Sequence, residues 1–148
     1  MSIKVITQCL KDNLNCVLEI DKTSTYYHWS RQMFLQELGK KNSFFNILKE
    51  DDIIAGYIIY NVVLDEAEIL NIVIGNNFKR KEYATFLLTR TINDMIKKNI
   101  KTIFLEVGQN NIAAINLYLK FGFEQYGIRK EYYKNKENAI LMKRQLKA

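Results

Sequence analysis

The sequence predicts an α+β protein, a mixed β-sheet with helices on both faces. Three strand-like runs follow one another, SFFNILK (43–49), AGYIIYNVVL (55–64) and EAEILNIVI (66–74), joined by the short acidic turns KEDD and LDEA. Their β-branched and aromatic content and tight spacing are those of an antiparallel meander. A helical periodicity then leads into the apolar run TIFLEV (102–107). A strand–helix–strand crossover after a meander requires a sheet of both parallel and antiparallel pairs. The length of 148 residues, 48% of them hydrophobic, is enough for one domain with a sizeable core, taken as 1–148.

IKVIT (3–7) is the first strand, and a helix is expected from Gln8 to Ile20 with Leu10, Leu14, Val17 and Leu18 on one face. That helix would carry Cys9 and Cys16 about 10 Å apart along its axis, too far for a disulfide, so both are expected as reduced, packed thiols. Ser30 suits the N-cap of a second helix, with Phe34 and Leu38 inward and Gly39 as its stop. After the meander, a helix from Lys81 to Lys98 would bury Ala84, Leu88, Ile92, Met95 and Ile96. Asn110 or Asn111 caps a fourth helix that ends at Gly122, and strands at 123–133 and 138–146 complete the chain.

Composition narrows the classes of function. No segment approaches the roughly 18 apolar residues of a membrane span, and the N-terminus lacks a signal-peptide core, so a cytoplasmic protein without a membrane partner is expected. One histidine and no Cys-x-x-Cys pair leave no ligands for a structural zinc, and no metal is expected. The net charge of +6 is scattered along the chain, apart from Lys79, Arg80 and Lys81, and does not point to direct nucleic-acid binding.

Those three cations open the helix at 81–98 with the charge that its dipole disfavours. An anion such as a pyrophosphate, held on the free amides of the turn, would explain them; a solvated basic turn would also accommodate them. Glu106 sits in a strand otherwise made of Ile103, Phe104, Leu105 and Val107. Desolvation there would raise its pKa and suit a general base, unless the carboxylate reaches water or a lysine. Tyr118 lies two helical turns beyond Asn111 on the same face, where its hydroxyl either enters the groove beside Glu106 or completes a core. Anion-binding helix, base and acid in that order suggest group transfer from a phosphate-bearing donor.

Four stretches carry a family resemblance: HWSRQMFLQEL (28–38), LDEAEILNIVI (64–74), LEVGQNNIAAINLYLKFGF (105–123) and IRKEYYKNKENAILM (128–142). Nearly end to end, the chain resembles the GNAT-type acetyltransferases. Within them it is most similar to the RimI group, which acetylates the N-terminal alanine of a ribosomal protein (S-eighteen). The resemblance implies about seven strands, mostly antiparallel, with a central parallel pair that splays, and acetyl-CoA as donor. Backbone groups of Ile72, Val73 and Ile74 would hold the pantetheine arm. Arg80, Lys81, Glu82, Tyr83, Ala84 and Thr85 would take the pyrophosphate, and Asn111 would contact the cofactor from across the cleft.

It further implies direct attack of the acceptor amine, with Glu106 as base and Tyr118 as acid. The acceptor would be the N-terminal tail of a ribosomal protein, beside an acidic edge of Asp65, Glu66 and Glu68 and a wall of Tyr132 and Tyr133. The enzyme would act as a monomer or weak dimer. One position departs from the family pattern Gln/Arg-x-x-Gly-x-Gly/Ala: here it reads Lys79-x-x-Glu82-x-Ala84. A carboxylate in place of the first glycine leaves a weakened, GNAT-like binding module as one alternative; a small-molecule amine acetyltransferase is another, since the fold is shared and acceptor choice lies in loops.

Overall fold

A computed structural model describes residues 3–24, 28–79, 82–133 and 136–146. Contacts divide the chain into two compact units, one of Met1–Asn61 with Leu70–Asn93, the other of Val62–Ile69 with Asp94–Ala148. Among the described residues, seven strands form one mixed sheet in the order β1-β2-β3-β4-β5-β7-β6, with helices around it.

In the first unit, β1 (Lys4–Gln8) runs antiparallel to β2 (Ser43–Glu50). Cys9 extends that ladder by donating its amide to the Phe45 carbonyl at 2.8 Å. Residues 8 and 9 therefore stay extended, and the first helix does not begin at Gln8 as the periodicity predicts. A 3-10 turn over Lys11–Asn13 intervenes, held by the Asn13 carboxamide, which accepts the Leu10 amide at 2.8 Å; α1 then spans Leu14–Ser24. Leu14 and Val17 are fully buried, and Leu10, left outside the helix, is exposed. Cys9 is likewise outside it. Both thiols are free, Cys9 buried and Cys16 exposed, and burial pushes the Cys9 pKa up to about 11.

Ser30 caps α2 (Arg31–Leu38) as expected, its hydroxyl accepting the Met33 amide at 3.2 Å. Phe34 on that helix packs within 5.6 Å, centroid to centroid, of Trp29, Phe45 and Tyr57, the aromatic centre of this unit's core. At the far end of α2, the buried Glu37 accepts from Lys40 at 2.6 Å, Ser43 at 2.8 Å and Asn61 at 2.9 Å. Burial works to raise its pKa, but those three donors outweigh it and hold the carboxyl below its ordinary value. The folded chain thus binds this proton less readily than the unfolded one. The resulting stability is present above the unfolded pKa of about 4.3 and is lost as pH falls through the folded value. Glu37→Gln is expected to cost about 1–3 kcal/mol in urea unfolding at pH 7. The gap between variant and parent should close once Glu37 is protonated in both states.

β3 (Ile53–Val63) returns antiparallel to β2 through a two-residue turn in which Asp51 and Asp52 both take positive φ, 50° and 70°. That is the turn whose twist matches a tight hairpin. β4 (Glu66–Ile74) follows. Gly56 allows β4 to press against β3, since a Cβ there would lie 2.5 Å from the Val73 carbonyl oxygen and 2.7 Å from Ile74 Cδ1.

Helix α3 (Tyr83–Lys97) buries Leu87, Leu88, Thr91, Ile92 and Met95. Ile96, expected inward, is 51% exposed: the helix phase places Leu87 and Thr91 on the buried stripe in its stead. In the second unit, the start of β4 pairs in parallel with β5 (Thr102–Gly108), from Glu66 opposite Thr102 to Ile69 opposite Leu105. β4 itself runs on to Ile74 and β5 to Gly108. β5 is antiparallel to β7 (Ala139–Gln145), which is antiparallel to β6 (Glu124–Arg129). The strand expected at 123–133 therefore stops at Arg129. Glu131 takes a positive φ of 51°, and the Lys136 amide donates to the Tyr133 carbonyl at 2.7 Å.

Candidate active site

The end of β4 is fixed from one side by a chain of polar contacts. Asn71 donates its amide to the Tyr57 hydroxyl at 2.8 Å, and Tyr57 donates to Asp21 at 2.6 Å. Asp21 is itself buried and accepts the Trp29 amide at 2.8 Å. A largely buried hydrogen-bonded network of this kind resists local displacement. With Gly56, it sets the position of Ile72, Val73 and Ile74, of which Val73 and Ile74 are buried.

Arg80 and Lys81 lie outside the described residues. Glu82 takes a φ of 62°, the left-handed conformation that glycine enters freely. Its carbonyl accepts the Phe86 amide at 3.0 Å and so starts α3. The helix opens at Tyr83 rather than Lys81. Tyr83 is buried and donates its hydroxyl to Glu50, which pushes its pKa up to about 12; its ring meets Phe78 edge-on at 5.3 Å. The side chain is thus committed to the first unit's interior. Only the backbone of Tyr83, with that of Ala84 and Thr85, remains to meet an anion: first-turn amides have no acceptor within the helix.

In the second unit, Glu106 on β5 does not stand in apolar isolation. Its Oε1 is 3.0 Å from Arg129 Nη2 on β6, with 22% of the side chain exposed. The Arg129 guanidinium lies 4.9 Å from the centre of the Tyr132 ring. Glu68 on β4 is pushed upward, by the desolvating sheet around it and by the Glu106 charge, with Arg129 acting in the opposite sense. Glu68 faces Phe104 in the parallel ladder, and Glu106 lies two residues beyond Phe104 on the same face of β5. Glu68, Glu106, Arg129 and Tyr132 thus form one cluster, of which the sequence singled out Arg129 only as part of a longer motif. No short-range signal could pair it with Glu106, because their strands are brought together only by the sheet order, with β7 between them.

The Asn111 side chain caps α4 (Ile112–Lys120) by accepting the Ala114 amide at 3.2 Å, which settles the cap in its favour over Asn110. At the other end, Gly122 takes a φ of 84°. The Phe123 amide reaches back to the Tyr118 carbonyl and the Gly122 amide to the Leu119 carbonyl, both at 3.0 Å. This is a Schellman stop, which brings the residue after the glycine against the last helical turn. Accordingly the Phe123 ring packs 5.7 Å from that of Tyr118. The spacing Leu-Tyr…Gly-Phe is therefore a device that seats Tyr118. It is 6% exposed, and burial, aided by Tyr133, pushes its pKa well above the usual tyrosine value. Among the described residues, its hydroxyl makes no hydrogen bond.

Tyr132 and Tyr133 stack edge to face at 5.2 Å in the loop after β6. Asp65 is 3.9 Å from Lys101, and its carbonyl accepts the Lys101 amide at 2.7 Å, so part of the acidic edge holds the β4–β5 connection. Among the described residues, no group of three or more His, Cys, Asp or Glu could hold a metal ion, and no helix is long and apolar enough to cross a membrane.

The profile of the acetyltransferase (GNAT) family matches residues 14–123. The chain is 34% identical over 142 residues, 93% of its length and 97% of the relative's, to the [ribosomal protein bS18]-alanine N-acetyltransferase of Haemophilus ducreyi. It superposes on the crystal structure of the ribosomal-protein-S18-alanine N-acetyltransferase from Escherichia coli with a TM-score of 0.93 at 28% identity, covering 99% of this chain and 96% of that one. The PaiA N-acetyltransferase of Thermoplasma acidophilum, solved in complex with coenzyme A, shares the fold at a TM-score of 0.82 and 18% identity, over 97% and 99% of the two chains. With the profile covering most of the chain and that identity running nearly end to end, the chain belongs to the acetyltransferase (GNAT) family.

Proposed function

We propose that the chain is a protein N-terminal acetyltransferase, moving acetyl from acetyl-CoA to the N-terminal alanine of a bS18-type ribosomal protein in the cytoplasm. The observation that carries this reading is the end-to-end likeness to enzymes named for that reaction. Residues 1–148 act as one catalytic domain, since the matched stretch draws on both units. The coenzyme A complex of PaiA, which shares the fold, supports acetyl-CoA as donor.

The proposed chemistry uses this chain's own groups. An α-ammonium with a pKa of about 8 must lose a proton before it can attack. Glu106 takes it, directly or through a water. The amine nitrogen then bonds to the thioester carbonyl carbon while a backbone amide within Ile72–Ile74 stabilises the oxyanion. The C–S bond breaks, the departing thiolate takes the Tyr118 proton, and the nitrogen's surplus proton passes through water to the Tyr118 phenolate, leaving a neutral amide and thiol. The buried Tyr118 hydroxyl, which has no partner among the described residues, supports that role. No acyl-enzyme is needed. Cys9, buried and with a raised pKa, is a poor nucleophile. The pyrophosphate meets the amides of Tyr83, Ala84 and Thr85, with Arg80 and Lys81 as cations and Asn111 as a further cofactor contact.

The test of acceptor class is competitive. Given acetyl-CoA with an Ala-starting basic peptide, spermidine and free lysine, the chain should acetylate the peptide α-amine, read by fragment mass spectrometry. Transfer to spermidine or lysine in preference would select a small-molecule enzyme.

Glu82 favours a weakened variant of the reading. Its left-handed backbone costs about 1–2 kcal/mol for a residue with a Cβ, and its carboxylate opposes an incoming phosphate. Glu82→Gly is expected to tighten acetyl-CoA binding about fivefold, the loss of roughly 1 kcal/mol of like-charge repulsion. Folding stability should change by less than about 1 kcal/mol, because glycine's extra chain entropy offsets the relieved strain. Unchanged or weaker binding would mean that the turn does not meet phosphate.

A further inference from the structure

Two carboxylates, Glu68 and Glu106, share one guanidinium, Arg129, so the cluster carries one formal negative charge in excess. Phe104 and Tyr126, edge to face at 6.0 Å, lie on the same side of the sheet, and Lys143 sits over the Tyr126 ring at 5.4 Å rather than on either carboxylate. Glu68 is exposed, as is Arg129, whose side chain is 53% exposed. The guanidinium is already within cation–π distance of Tyr132, an alternative resting place if it leaves Glu106. Geometry and charge therefore suit a second, incoming monocation.

We propose that Glu68 binds the acceptor's N-terminal ammonium together with Glu106, the ammonium displacing Arg129 from Glu106 onto Tyr132, and that Glu68 thereby sets the preference for a cationic amine. This rests on the proposed role of Glu106 and adds to it a residue that acts on acceptor affinity rather than on the chemical step. Burial first and the Glu106 charge second raise Glu68, and a cation placed between the two carboxylates would offset that repulsion. Once the ammonium gives its proton to Glu106, the cation is gone, and Arg129 can return to neutralise what remains.

The test is steady-state kinetics of Glu68→Gln and Glu68→Asp with an Ala-starting peptide at saturating acetyl-CoA, with calorimetry of acetyl-CoA on each. Glu68→Gln should raise the acceptor KM about tenfold, leave kcat within about twofold and leave donor affinity unchanged. Glu68→Asp should recover most of the KM. Equal acceptor KM in parent and Glu68→Gln, or no recovery in Glu68→Asp, would overturn the proposal. A fall in donor affinity or thermal stability together with kcat would overturn it too, by showing a structural role. If the parent transfers acetyl to no amine, the underlying function fails first; if it transfers normally and only the Glu68 effects are missing, this inference alone falls.

Discussion

Glu106→Gln is expected to lower kcat with an Ala-starting peptide by about 10²–10⁴-fold, the usual contribution of a positioned base, while acetyl-CoA affinity stays within a few-fold of the parent. Glutamine keeps the size and hydrogen-bonding reach of the side chain but cannot take the proton. The variant also removes the charge pairing with Arg129, 3.0 Å away. With half of the arginine side chain exposed, that pair contributes only about 0–1 kcal/mol, too little for unfolding to account for a hundredfold loss. Thermal unfolding should therefore report a nearly unchanged protein. Activity within about tenfold of the parent would move the base elsewhere, and Glu68 would be the first residue to examine.

Tyr118→Phe should lower kcat by about 10²-fold or more, by removing the group proposed to protonate the leaving thiolate. The ring keeps its contact with Phe123, the Schellman stop uses only backbone groups, and no hydrogen bond to a described residue is lost. Removing a buried hydroxyl without a partner is neutral or stabilising, so unfolding measurements should show equal or greater stability. The raised pKa keeps the proton on Tyr118 at neutral pH, as an acid requires, so the alkaline limb of the rate profile should not come from this group. A variant that is unstable, or one that is fully active, would contradict the assignment.

Ser30 and Asn111 could be read as caps because a cap is a local device: one side chain, one amide three residues on. The meander was legible for the same reason, in its two-residue acidic turn and flanking β-branched runs. Cys9 was not. Its helical periodicity is overruled by one bond to Phe45, on a strand far along the sequence. Ile96 fell outward because several three- and four-residue spacings fit the same stretch, and only packing chooses among them. At the site, the positions of Glu106 and Tyr118 came from motif, but their surroundings did not. The partner of Glu106 arrives from β6, and the carboxyl with the raised pKa is on β4, so strand pairing decides both. Glu82 lies between these cases. Its replacement of glycine is visible in the sequence, and its φ of 62° supplies the backbone reason why glycine belongs there.

Acetyl transfer by this chain requires that it bind acetyl-CoA despite the Glu82 carboxylate. Calorimetric titration of the purified protein with acetyl-CoA tests this most directly. Saturable one-to-one binding with a Kd below about 1 mM, tightened in Glu82→Gly, is the predicted result. No heat of binding up to that concentration, in either parent or Glu82→Gly, would contradict the account.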